Sequence, residues 1–312
     1  MMTNQNTKRI LIFIAFAFGL PWAAALVISL SGLLDANPTQ AVGLANTVFI
    51  ATPWLANIAA RLVTREGWGD LWLRPNFKRG WRFYLAAWLL PLVATIAGGA
   101  AFYLIFPASF DPNLGGMQKL VAGTPSEAVA AASPWLLLLS ITLSMMFVSA
   151  LINMLASLGE EFGWRAYLLQ KLMRHFSGPA GASGTPTGAR KAALLTGLVH
   201  GVWHWPLLLM AASLTPGFTW LSLPVYLVLT CSMSVLRSWV TLRSGSVWPA
   251  ALGHGVVNAA SALPGFLLLG QAIPLIGPEP SGLVGGIGYT LLALALLLSR
   301  RAFSAGEEKR ES

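Results

Sequence analysis

The chain has 312 residues, 55% of them hydrophobic and 10% charged, with a net charge of +9 and one cysteine, Cys231. So apolar a composition excludes an ordinary soluble domain and places the chain among membrane proteins. A single cysteine excludes an intrachain disulfide and a thiolate-rich metal site. The positive charge is scattered along the sequence, which suits anionic lipid head groups; no nucleic-acid partner is expected.

Stretches without a charged residue cover 10–34, 36–60, 83–110, 128–159, 192–236, 244–278 and 280–299. Each can supply a helix of roughly 20 residues, enough to cross the hydrocarbon, and Pro216-Gly217 divides the longest in two. The reading is all-α: a polytopic transmembrane helical bundle of about eight spans, near 10–32, 42–60, 83–106, 135–158, 192–213, 219–237, 247–268 and 282–299. The first apolar run is longer than a signal-peptide core and is expected to stay as a span. Residues 61–82 mix Trp and Leu with Arg and Lys, and are expected to form an interfacial amphipathic stretch. The loop 107–132 admits a short helix over its Ala-rich part. Residues 162–176, FGWRAYLLQKLMRHF, alternate apolar and basic positions at helical spacing and are expected to lie against the inner membrane face. A Gly/Pro/Ser/Thr linker at 177–189 is expected to be mobile. The whole is read as one membrane domain, 1–312, with a catalytic core over about 130–265.

Charge sets the orientation. With the N-terminus inside, only Lys119 of the 20 basic residues falls outside, leaving 19 inside. This bias is the positive-inside rule, so both termini are expected to be cytoplasmic. The expected location is the prokaryotic plasma (inner) membrane.

Against this apolar background the polar groups stand out. Glu160 and Glu161 end a 32-residue charge-free stretch, 128–159. Ionisable groups in spans are costly and default to a functional reading. Neighbouring helical residues point about 100° apart, so the two glutamates cannot both face one target. Glu161 and Arg165 are spaced i,i+4 and can pair, which leaves Glu160 free to face the bundle. His200 and His204 share one face of the fifth span; His254 and Asn258 share one face of the seventh. His175, among basic residues, is read as a surface group. Pro206 removes a backbone donor next to His204 and is expected to bend that helix. Trp164, Trp203 and Trp205 can wall a cavity there or simply pack.

Two chemistries fit these groups. Glu160 and His204 can activate a water while His254 and Asn258 stabilise an oxyanion. Glu160, His204 and His254, with His200 as a further candidate, can instead hold Zn²⁺ with an open position for water; a metal-free mechanism remains open beside it.

The same residues carry a resemblance. Glu160-Glu161-Phe-Gly-Trp-Arg165 matches the first motif of the CPBP family of intramembrane proteases, the CAAX-processing and bacteriocin-processing (Abi) enzymes. HGVWH at 200–204 is similar to the second motif, with His204 as the family histidine and His200 at the aromatic position. His254-Gly-Val-Val-Asn258 matches the third. The resemblance implies an endopeptidase acting on membrane proteins or lipid-modified peptides, with Glu160 as general base helped by His204. It implies that His254 and Asn258 stabilise the oxyanion and that Glu161 and Arg165 shape the site. Other readings of the scaffold are a non-enzymatic membrane partner or bacteriocin self-immunity protein, and a proton- or metal-coupled transporter. Oligomeric state is not legible in the sequence.

Overall fold

The computed structural model describes residues 2–177 and 185–304. Described residues are almost wholly helical, with two isolated β-bridges, Phe110–Leu268 and Ile273–Gly277, in the connections. We name the principal helices α1 (Met2–Leu30), α2 (Pro38–Thr64), α3 (Phe77–Ile105) and α4 (Pro134–Ser177). They are followed by α5 (Pro186–Trp203), α6 (Trp205–Ala211), α7 (Ser222–Ser244), α8 (Trp248–Ala260) and α9 (Ile287–Leu298).

Gln5–Leu30 of α1, with α2, α3, α4 and α7, are long and apolar enough to cross a membrane. α5 and the helix after it, bent by 40° where they meet, add a sixth crossing if taken as one broken span. α8 and α9 are shorter, at 13 and 12 residues. The molecule is thus an all-α, multi-spanning membrane bundle. Short helices Gly115–Val121 and Glu127–Ala132 occupy the 107–132 loop, the second over its Ala-rich part as expected.

Small residues let the helices approach. Ala17, Ala41, Ala45, Ala56 and Ala60 bring α1 and α2 together around buried Phe13 and Phe49. On α8, a Cβ at Gly255 would lie 2.5 Å from the amide nitrogen of Met154, so only glycine permits this seam with α4. At Gly163 a Cβ would lie 2.5 Å from the Pro53 carbonyl oxygen, and the same holds for α4 against α2.

Two expectations are corrected. The fourth span does not end near 158: α4 runs unbroken through residues 162–176, with π turns at Met145–Ser149 and Trp164–Leu168. Its Trp164, Tyr167, Leu168, Leu169 and Leu172 are buried core, because Phe13 of α1 packs on Trp164 and Tyr167. Buried apolar area, rather than the membrane surface, takes up that amphipathic face. Nor is 61–82 one amphipathic element. α2 ends at Thr64, α3 begins at Phe77, and Arg65, Trp72 and Asn76 between them adopt left-handed backbone angles. Ion pairs hold this turn: Arg61 with Asp70 (2.8 Å), Arg174 with Asp70 (3.1 Å), Arg9 with Glu66 (3.3 Å) and Lys171 with Glu66. Its aromatics Trp68, Phe77 and Trp81 remain exposed, as head-group contacts would require.

Burial raises the Glu66 carboxyl, but bonds from Lys171 and Tyr167 and the charges of Lys171 and Arg9 outweigh it and leave it below its ordinary value. Asp70 is lowered likewise: the charge of Lys171 and the bond and charge of Arg61, with Arg174, overcome its burial. Of the linker at 177–189, residues 178–184 lie outside the described residues, and Pro186 already opens α5 with Thr185 as its cap.

Candidate active site

The two adjacent glutamates face different helices, as their 100° offset requires. Glu160 Oε2 accepts from His200 Nε2 at 3.0 Å, across to α5. Glu161 is wholly buried and gathers three partners. Arg165 Nη1 lies 3.0 Å from Oε2, Arg237 Nη1 of α7 donates to Oε1 at 2.8 Å, and His254 Nδ1 of α8 reaches the same Oε1 at 2.8 Å. The expected Glu161–Arg165 pair is present, and it belongs to a four-residue network joining α4, α7 and α8. A buried carboxylate is tolerable only with such compensation.

The proline bend shapes the second histidine. The backbone N–H of His204 bonds to the Gly201 carbonyl (3.2 Å) instead of continuing the α-helical pattern to His200. The His200 carbonyl is thereby freed to accept from His204 Nδ1 at 3.1 Å. A carbonyl can only accept, so Nδ1 carries the proton and Nε2 keeps its lone pair. By the same reasoning the Glu161 carboxylate fixes the proton of His254 on Nδ1 and leaves Nε2 available. Trp164 stacks on His200, with centroids 5.0 Å apart and planes at 25°. Trp203 packs edge-on against His204 at 4.6 Å. Both indoles are fully buried: they back the imidazoles and do not line the cavity. His200 thus keeps the flat-ring contact of an aromatic at its position while adding a hydrogen bond to Glu160.

Glu160, His200, His204, Arg237, His254 and Asn258 line a cavity of about 510 Å³. Asn258 is exposed to it and donates to Ser157 Oγ at 3.3 Å, a long bond that leaves its amide free to turn. His200 and His254 lie 6.0 Å apart by ring centroid. His175 is exposed and apart from the site.

For a cation, the carboxylate of Glu160 and ring nitrogens of His200 and His204 lie within 4.8 Å of one another, an O/N/N donor set that fits zinc by type. His204 also has the outer N–H bond to a carbonyl that metal-bound imidazoles use. The geometry therefore groups His200 with Glu160 and His204, while His254 is tied through Nδ1 to Glu161.

Arg237 was not among the residues singled out in the sequence. It ends the 192–236 charge-free stretch and reads as an inner-loop charge, yet the apolar Trp239, Val240 and Leu242 that follow continue the same helix. That continuation was the available signal. Tyr226, whose ring centroid lies 5.6 Å from that of His204, carried none.

Residues 142–260 match the model of one protein family, described as type II CAAX prenyl endopeptidase Rce1-like. No curated protein matches the sequence. The matched segment spans the glutamates of α4, the histidines of α5 and the His254/Asn258 pair of α8. Through these residues the segment 142–260 belongs to the Rce1-like (CPBP/Abi) family of CAAX proteases.

Proposed function

We propose that the chain cleaves peptide bonds of membrane-associated or lipid-modified proteins, with Glu160 as the base that deprotonates the attacking water. The observation that carries this reading is the convergence of the Glu160 carboxylate, the lone pair of His204 Nε2 and the amide of Asn258 on one cavity. His204 accepts a hydrogen bond from the water and orients it; Glu160 takes its proton and passes it to the leaving amine. His200 holds Glu160 in place. Asn258 donates to the oxyanion, joined by His254 from Nε2 when that ring carries both protons. A zinc ion, when bound by Glu160, His200 and His204, supplies a water of lowered pKa.

The positive-inside count supports about eight crossings with both termini cytoplasmic and α8 and α9 as the short final spans. Glu160 lies 11 residues before Lys171, whose ion pairs mark the inner rim, a rise of about 16 Å. In a hydrocarbon core of about 30 Å, the scissile bond then sits close to the midplane.

The test is cleavage of fluorogenic farnesylated and unmodified peptides by the purified protein in detergent, with and without chelator, alongside its metal content. Glu160→Gln is expected to lower kcat by about 100-fold or more. Undiminished cleavage by Glu160→Gln would overturn the reading.

A further inference from the structure

Between residues 244 and 299 the chain holds a single charged residue, Glu279. It sits on the connection between α8 and α9, flanked by Pro278 and Pro280, which fix φ on either side of it. The connection is clamped onto α3, because a Cβ at Gly98 would run into the backbone of Gly285. The carboxyl is therefore presented from a stiff support. No salt bridge and no hydrogen bond reaches its side chain within the described residues. Burial pushes it above its ordinary value.

Glu279, Pro280 and Ser281 line the same cavity as Glu160 and His254. Along α8 the cavity wall passes from His254 to Asn258, Ser261 and Ala262, and Glu279 Oε1 lies beyond these, against Gly265. Seven residues from His254 to Ser261 are an axial rise of about 10 Å. An extended peptide covers that distance in about three residues. A desolvated carboxylate without a counter-charge is unfavourable alone and becomes favourable when a cation arrives.

We propose that Glu279 is a specificity-determining residue, accepting the cationic side chain of a substrate lysine or arginine about three residues from the bond cut. The proposal rests on the protease reading and deepens it by naming a substrate feature. It assigns Glu279 no part in the chemical step, which remains with the groups around Glu160.

The experiment takes one peptide that the full-length protein cleaves and places lysine, norleucine or glutamate in turn at two to four residues on each side of the cut. Lysine is expected to raise kcat/KM about tenfold over norleucine at one position. Glu279→Gln should collapse that ratio, and Glu279→Lys should turn the preference to glutamate. A second measurement needs no turnover: binding of the fluorescent lysine and norleucine peptides to Glu160→Gln protein, with and without Glu279→Gln. Lysine is expected to bind tighter only where Glu279 is present. Equal kcat/KM for lysine and norleucine at every position, or equal binding of the two peptides, overturns the proposal while leaving cleavage by Glu160 intact. Cleavage that survives Glu160→Gln overturns the underlying protease reading instead. Loss of structure alone would not exchange one charge preference for the other.

Discussion

The two glutamates differ in what their removal leaves behind. Glu161 holds Arg165, Arg237 and His254 together inside the bundle. Glu161→Gln leaves two buried guanidinium groups without a counter-charge, an error of the kind that costs about 3–5 kcal/mol. A large fall in thermal unfolding temperature is expected, with activity lost through the fold. Glu160 bonds to the uncharged ring of His200 and directly pairs with neither arginine, so Glu160→Gln should keep the unfolding temperature close to wild type while abolishing turnover. Comparing melting and cleavage for the two variants separates a scaffold acid from a reacting one. This division was legible in the sequence, since adjacency on a helix and the i,i+4 arginine already send the pair to different faces. Arg237 was not, because a charge at the end of an apolar run looks the same whether the helix stops there or continues inside the protein. The metal-like grouping of Glu160 with His200 and His204 was only half legible. Spacing puts both histidines on one face, but the ring nearest the carboxylate depends on how α4 and α5 cross.

At the scale of the element, α5 and its bend carry the consequence of one proline. Pro206 was expected to bend the helix beside His204, and at that bend the carbonyl of His200 orients the His204 ring. Pro206→Ala should let the helix straighten, return the His200 carbonyl to a backbone donor and release the imidazole. The expected outcome is a fall in kcat of about tenfold or more with little change in helix content by circular dichroism, the loss coming from misplacement. The seam between α4 and α8 gives a harsher test. Gly255→Ala must push α8 away from Met154, and the unfolding temperature is expected to drop as the packing opens. Element lengths were less legible than element identities. The sequence splits α4 at its charges, although Glu160, Glu161 and Arg165 are compensated inside the bundle and have no reason to end a helix.

For the whole molecule, the charged turn between α2 and α3 ties α1, α2 and α4 through Arg9, Arg61, Glu66, Asp70, Lys171 and Arg174. Glu66 and Asp70 titrate below their ordinary values of 4.5 and 3.8 in the folded chain. Between folded and unfolded values the unfolded chain binds more protons, so stability rises with pH there. Their contribution is complete above the ordinary carboxylate values and is lost as pH falls through the folded ones. The unfolding temperature of the detergent-solubilised protein should therefore fall on acidification below about pH 4.5, and Lys171→Met should flatten that dependence. Composition and charge made the membrane class plain, whereas this belt was illegible because Glu66 and Asp70 meet Lys171 and Arg174 from about 100 residues away. The four-residue network around Glu161 has one more consequence, for the order in which the protein is made. A chain emerging from the ribosome delivers α4 first, with Glu161 and Arg165 already neutralising each other on one helix. When α7 follows, Arg237 enters the lipid facing a carboxylate already waiting there, and His254 arrives last to close the set. Biogenesis thus never has to leave Glu161 in the bilayer without a counter-charge, and the final helices dock onto an anchor that α4 has already begun.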